Sequence, residues 1–279
     1  MIEMHTPPCM RPCRPAWAVV AHYLQPSFSS PSRTAYATFP FPSIYISYDL
    51  RHMHIPEPAM APVKVFGPAK SINVARVLLC LEEVGAEYEL VHMDLFQTKE
   101  QNSPEHLARN PFGKVPALQD GDLVLFEARA IAKYVLRKYK TEQADLLREG
   151  DPEEAAMVDV WTEVEAHQYH QALRLIMLEC FLNPTLRGLP TNQAVVDEAV
   201  EKTKKVLEIY EARLSEHRYL AGDFFSFADL NHFASTFYIV DATPYGSLLD
   251  SYPRVKAWWE DLMSRPSFKK ISANMTTKV

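Results

Sequence analysis

Between Val63 and Tyr139 short apolar runs alternate with stretches of helical period, and after Asp151 only helical period remains. Few architectures accept that order. "VKVF" (Val63 to Phe66) predicts a strand, and Val74, Val77, Leu78 and Leu81 at i, i+3, i+4 and i+7 predict an amphipathic helix closed by Gly85. "YELVHM" (Tyr88 to Met93) alternates as a second strand, and "SPEHLARN" offers a Ser cap with Pro at the first helical position. "VPAL", "QDGD" and "LVLF" predict a hairpin around Asp-Gly, and a helix from Ala128 to Tyr139 completes a β-α-β-α-β-β-α unit. Asp151-Pro152-Glu153-Glu154 then caps a helix, long periodic stretches run over Glu154–Cys180 and Gln193–Glu216, "SFAD" repeats the capping logic, and "PRVKAWWEDLM" adds another helix. The expected organisation is an α/β domain at 61–140, a linker at 141–151 and an all-helical domain at 152–279, with the cleft between domains as the binding site.

Residues 1–60 are of a different kind. They hold ten of the 21 prolines, no lysine and none of the eight glycines, and no period is sustained long enough for an element. Pro and Ser crowding predicts a disordered leader. Its Ser content, four arginines and few acidic residues suit an organellar transit peptide. Met60 before Ala-Pro suits a translation start instead, which makes the leader an artefact; scattered His and Met and the lack of an amphipathic helix favour that reading.

A net charge of −6 argues against nucleic acid as a partner, and no apolar run approaches the ~18 residues of a membrane span. Cys9, Cys13, Cys80 and Cys180 form no zinc-type pattern, which points to a reduced, cytoplasmic protein, or a plastid one if the leader is a transit peptide.

Ser71 opens the first helix after a Gly-Pro turn and Lys70. Two readings stand on the residues alone: an ordinary N-cap, or a hydroxyl that stabilises an anion at the helix N-terminus. Cys80 reads as core packing.

The order of elements, "NPFGKVPAL" (Asn110 to Leu118), "LFEARAI" (Leu125 to Ile131), "YLAGDFFSFADL" (Tyr219 to Leu230), "LREGDPEEAAMVDVW" and "YPRVKAWWEDL" together resemble a glutathione S-transferase of the plant phi class, over about Ala61 to Ile271. The resemblance implies a thioredoxin-like N-terminal domain plus an all-α C-terminal domain, a homodimer, glutathione as co-substrate and no metal. It implies conjugation of the glutathione thiolate to hydrophobic electrophiles, with reduction of organic hydroperoxides as a second activity. Ser71 would point its hydroxyl at the glutathione sulfur as a thiolate stabiliser, where related thiol-transferring classes carry a cysteine.

The same resemblance assigns the rest of the site. Val115 would exchange main-chain hydrogen bonds with the tripeptide, Pro116 would be cis, and Glu127 would take the γ-glutamyl amino group. Lys114 stands where a glutamine is expected, Ala128 where a serine binds the γ-glutamyl carboxylate, and Gln101-Asn102 where a His-Lys pair meets the glycyl carboxylate. These three departures predict weakened glutathione affinity with the thiolate chemistry intact. Ile72, Phe96, Leu178 and Leu182 are the expected electrophile-binding residues, with ordinary core packing as the alternative for each. A drifted, non-catalytic ligand-binding or scaffold protein is the competing function. Glu163, His167 and His170 share a helix face by spacing, so a metal site is conceivable there, but a solvated polar face is the preferred reading.

Overall fold

The computed structural model describes residues 62–275 and, in the preceding chain, two short strands. Those strands, β1 (Thr34–Ala37) and β2 (Ile46–Asp49), pair antiparallel with Thr34 opposite Asp49. They correct the expectation that no element occurs before residue 60: Thr34, Tyr36, Ile46 and Tyr48 are β-formers at a period of two, in runs too short to stand out. The remainder of the predicted leader, with Cys9 and Cys13, lies outside the described residues.

From Val63 the predicted order is found. β3 (Val63–Phe66) is central in a four-stranded sheet of order β4-β3-β5-β6, parallel to β4 (Tyr88–Val91) and antiparallel to β5 (Ala117–Asp120), which pairs with β6 (Leu123–Phe126). Alternation divides β3 between two layers. Val63 and Val65 join the core with α1 (Ile72–Glu83) and α3 (Ala128–Lys138), while Phe66 joins Met93 and Ala117 on the other side. There α2 (Pro104–Arg109) covers the Phe66 ring with the Arg109 guanidinium, 4.0 Å from its centroid. This is a thioredoxin-like α/β layer.

Residues 152–275 carry helices joined by loops, and no strand. α4 (Pro152–Val164) passes without a break into a π-helical turn at Glu165–Tyr169, α5 (His170–Met177) and a second π-helical stretch at Leu178–Arg187. A count at 3.6 residues per turn reads Glu154–Cys180 as uniform, because each π turn shifts the pattern by only about one residue. α6 (Gln193–Glu216) matches its predicted bounds. The "SFAD" helix is only four residues long (α7, Phe227–Leu230), and Asn231-His232 separate it from α8 (Phe233–Ala242). α9 (Pro253–Ser264) and α10 (Pro266–Met275) follow. Among the described residues no helix is long and apolar enough to cross a membrane.

α1 is shared by both halves. It packs on α3, and on α7, α8 and α10 from the helical part. Arg265 and Ser267 both donate to the Glu83 carboxylate at its C-terminal end. Residues 61–279 therefore form one compact unit, so a helix that begins at Ser71 is held along its whole length.

Candidate active site

β3 leaves the sheet through Gly67, whose φ of +142° few side chains tolerate. Space excludes a side chain as well: a Cβ there would lie 2.6 Å from Val74 Cγ2 and 3.1 Å from Val115 Cβ. Gly67 thus lets Val115 close on the start of α1. Ser71 follows, its N–H donating to the Pro68 carbonyl at 2.9 Å and its carbonyl accepting from Ala75 N–H at 2.8 Å. The half-buried hydroxyl makes no cap hydrogen bond. The caps of α2, α4 and α6 do what α1's does not: Ser103 accepts from His106 N–H, Asp151 from Glu153 and Glu154, and Asn192 from Val195. Ser71 sits at a cap position and leaves its oxygen free beside uncapped first-turn N–H groups.

Facing this turn is the loop into β5. The Val115–Pro116 bond is cis. Val115 precedes the paired residues of β5, so its main chain stands outside the ladder. The Lys114 carbonyl is clamped from beneath by His106 Nε2 at 2.9 Å and Asn110 Nδ2 at 2.8 Å, and His106 therefore carries its proton on Nε2. His106 is fully buried, a role the sequence reading missed because it saw only a helix. The Lys114 side chain is exposed.

α3 begins at the third wall. Glu127 is exposed and held at φ +71°, ψ 104°, a conformation costing a non-glycine residue about 1–3 kcal/mol. That geometry turns the carboxylate away from capping its own helix, and no cap hydrogen bond is made. Ala128 is buried in the core as the first residue of α3, and it brings no hydroxyl to the helix N-terminus.

Gln101 and Asn102 occupy a 3-10 turn, Glu100–Asn102. The expectation for Gln101 needs correcting in one respect. Its amide nitrogen donates to the Leu95 carbonyl at 3.1 Å, inside the loop, and its Oε1 is buried without a partner. Asn102 is exposed and lies against the Gly113 turn, where a Cβ would meet its Oδ1 at 3.2 Å.

Of the expected electrophile residues, Phe96 is 59% exposed and borders a pocket of about 320 Å³ with Pro68, His92, Met93 and Leu95. The loop that presents it is pinned by Asp94, whose carboxylate accepts from the N–H groups of Gln97, Phe96 and Thr98, and these bonds hold its pKa down at about 2. Ile72 is half-buried next to Ser71, and Leu178 and Leu182 are half-buried on the second π-helical stretch.

A buried ion cluster joins the starts of α1 and α3 to the helical part, and nothing in local periodicity announced it. Glu165, fully buried at the first π turn, accepts from Arg76 of α1 at 3.3 Å, from Arg129 Nε of α3 at 3.0 Å and from Asn231 at 2.7 Å. Burial works to raise the Glu165 pKa, but Arg76, His232 and Arg129 outweigh it and the net shift is downward. The same π turn breaks the supposed metal face. Glu163 and His167 form an exposed pair at 3.1 Å, while His170 is carried round to hydrogen-bond Ser235 at 3.0 Å. Among the described residues no group of three or more suitable side chains could hold a metal.

The chain matches two family descriptions, "Glutathione S-transferase, N-terminal domain" over residues 61–137 and "Glutathione S-transferase, C-terminal domain" over residues 166–266. It is 71% identical over 216 residues to the probable glutathione S-transferase GSTF1 of Oryza sativa subsp. japonica, covering 77% of this chain and 98% of that protein. Among solved structures it resembles glutathione S-transferase I from mais in complex with an atrazine glutathione conjugate (TM-score 0.74, 58% identity, 78% of this chain and 100% of that one). A glutathione S-transferase-I bound with lactoylglutathione is similar to the same degree (TM-score 0.73, 58% identity, 77% and 100%). Family matches over both halves of the fold, together with the Ser71, Val115–Pro116 and Glu127 geometry, place this chain in the glutathione S-transferase family, among the plant phi-class enzymes.

Proposed function

We propose that this transferase activates glutathione as a thiolate at Ser71 and directs it at hydrophobic electrophiles. One observation carries the reading: a serine at a helix start whose hydroxyl makes no cap hydrogen bond and, among the described residues, has no other partner. A free thiol with pKa about 8.5 is only about 3% thiolate at neutral pH. Lowering that pKa by about two units takes about 2.7 kcal/mol of preferential anion stabilisation. One hydrogen bond to the charged form supplies about 1.5–3 kcal/mol and a helix N-terminus about 0.3–1 more. The two together suffice, and Ser71 acts as a stabiliser of the thiolate, not as a nucleophile.

The tripeptide is held along the three walls. Val115 offers unpaired main chain for strand-like pairing, Glu127 takes the γ-glutamyl ammonium, and the α3 N-terminus faces its carboxylate. Asn102 and Lys114 are the exposed donors left for the glycyl end, since Gln101 has committed its amide to Leu95. Ile72, Phe96, Leu178 and Leu182 supply the apolar side for the electrophile.

The partner surface fits a homodimer. Phe112, 69% exposed and braced on Phe126, projects from the α/β part, while Met157, Val160, Trp161, Val206 and Ile209 line an apolar pocket of about 390 Å³ between α4 and α6. A second copy related by a two-fold axis inserts each projection into the other's pocket. The free thiols of Cys80 and Cys180 suit a reducing cytoplasm.

The test is the rate of conjugation to chlorodinitrobenzene across glutathione concentration, in the parent and in Ser71→Ala. The expected result is saturation in the parent and a loss of at least about tenfold in the variant. A folded parent that shows no saturable conjugation supports a non-catalytic binding protein instead.

A further inference from the structure

The peptide unit joining Lys70 to Ser71 is gripped at both edges. Its N–H donates to the Pro68 carbonyl at 2.9 Å, and its carbonyl accepts from the hydroxyl of Tyr238. Tyr238 lies on α8, 168 residues away in sequence, so the second grip comes from the helical half of the molecule. A peptide is a rigid plane, and two hydrogen bonds on opposite edges fix its rotation about the chain. That rotation sets ψ of Lys70 and φ of Ser71, now −74°, and so how the chain that carries the Ser71 side chain enters α1.

The tyrosine is itself immobilised. Its side chain is buried, its ring stacks on Phe181 with centroids 5.5 Å apart, and Phe237 lies edge-on at 6.1 Å. Burial, and then the nearby Asp241 charge, push the phenol up to about 12, so it remains a donor over any pH at which the enzyme works. Phe181 belongs to the second π-helical stretch, between Leu178 and Leu182. The wall expected to hold the electrophile is thus linked through one aromatic stack to the turn expected to hold the thiolate.

We propose that Tyr238 is a positioning residue for the transferase reaction: by holding the Lys70 carbonyl toward the helical half it aims Ser71 and keeps the carbonyl's negative end away from the thiolate. Its own hydroxyl is spent on Lys70 and takes no part in bond making. The proposal rests on Ser71 acting as thiolate stabiliser, and it names what makes that serine effective. Without the phenol hydroxyl the peptide keeps only the Pro68 bond and is held less firmly, and a carbonyl oxygen turned toward an anion has the wrong sign.

The experiment is the pH dependence of thiolate formation in the enzyme–glutathione complex, read by thiolate ultraviolet absorbance and by kcat at saturating glutathione, in the parent, Tyr238→Phe and Phe181→Leu. Tyr238→Phe keeps the ring and its packing. The midpoint should rise by about half to one unit in Tyr238→Phe, cutting the rate about three- to tenfold on the acidic side and much less on the alkaline side. The glutathione KM should change by less than about twofold, because the groups that bind the tripeptide are untouched. Phe181→Leu, which loosens Tyr238 without removing its hydroxyl, should shift the midpoint less and in the same direction. An unchanged midpoint in both variants, or a loss equal at every pH, overturns the positioning role. A parent whose bound thiol has an ordinary midpoint defeats the Ser71 reading itself, whatever the variants do.

Discussion

Two of the serines that start helices in this molecule, Ser71 and Ser226, are used in opposite ways. Ser226, fully buried, stands before α7 with Asp229 three residues on; the Asp229 carboxylate accepts from both the N–H (3.0 Å) and the hydroxyl (3.1 Å) of Ser226. It also takes the Leu220 N–H and the Trp258 indole N–H, each at 3.0 Å. Ser71 stands before α1 with Val74 three residues on, and an aliphatic side chain cannot reciprocate. The first serine belongs wholly to the fold, and the second makes no cap hydrogen bond to it. Between these two serines the difference stands at the third helical position, a carboxylate after Ser226 and an aliphatic side chain after Ser71.

The largest effect that sharpens this contrast should come from Asp229→Ala. Three buried N–H groups and a buried hydroxyl would lose their acceptor at once, where one unsatisfied group alone costs about 1–3 kcal/mol. We expect a loss of at least about 3 kcal/mol in urea unfolding, or failure to fold at all. A loss below about 1 kcal/mol would mean that the capping box is not what secures α7.

A smaller effect in the same region depends on pH. Burial is the main cause holding His232 down at about 4, helped by Arg76 and Arg129 and opposed by Glu165. Its Nδ1 donates to the Ala228 carbonyl at 2.6 Å, so Nε2 is the acceptor for the Tyr210 hydroxyl at 2.8 Å, and a second proton would break that bond. Below about pH 6.5 the unfolded chain binds a proton that the folded one refuses until about pH 4, so His232 makes stability fall as pH falls through that window. Asp229 runs the other way. Burial raises it to about 6, and its contribution is lost as pH rises from about 4 to 6. The parent should therefore be nearly flat over that range from these two groups. Replacing His232 by Gln removes one slope, and stability should then fall with rising pH by up to about 1.4 kcal/mol per unit. A variant with the parent's pH profile would show that His232 is not held neutral.

The two serines also show what could be read before the fold was known. Strands, helix starts and the hairpin were legible because each depends on neighbours within about four residues: Pro104 after Ser103, Gly121 at the turn, Glu154 after Asp151. The roles expected of Val115, Pro116, Glu127 and Ala128 came from the family's motifs, and the Val115–Pro116 bond is cis as the resemblance implied. The supports beneath the site were not legible. Glu165 meets Arg76 across 89 positions and Tyr238 meets Lys70 across 168, and no local pattern encodes such a choice of partner. The π turn that swings Glu165 inward was equally silent, since it alters the winding by about one residue without altering composition.

Ala128 offers a gain-of-function test at the glutathione wall. Ala128→Ser should restore a donor for the γ-glutamyl carboxylate and lower the glutathione KM by about three- to tenfold, with kcat nearly unchanged, because binding and not thiolate chemistry is altered. Ala128 is buried, so the added hydroxyl also has to find room. If KM stays at the parent value while stability drops, the helix N–H groups already satisfy the carboxylate.

The smallest expected effect tests the contrast most directly. Replacing a capping serine by alanine usually costs about 0.5–2 kcal/mol of stability. Ser103→Ala should show that cost, because its oxygen accepts from His106 N–H at 3.2 Å. Ser71→Ala should show almost none, within about 0.5 kcal/mol, because its hydroxyl caps nothing. Both can be read from chemical unfolding of ligand-free protein, where activity plays no part. Equal costs would mean that Ser71 works as a cap after all, and its loss of activity could then be charged to a frayed helix. A cost at Ser103 with none at Ser71 would separate stability from chemistry, leaving the free hydroxyl with no task in the fold and only a thiolate to serve.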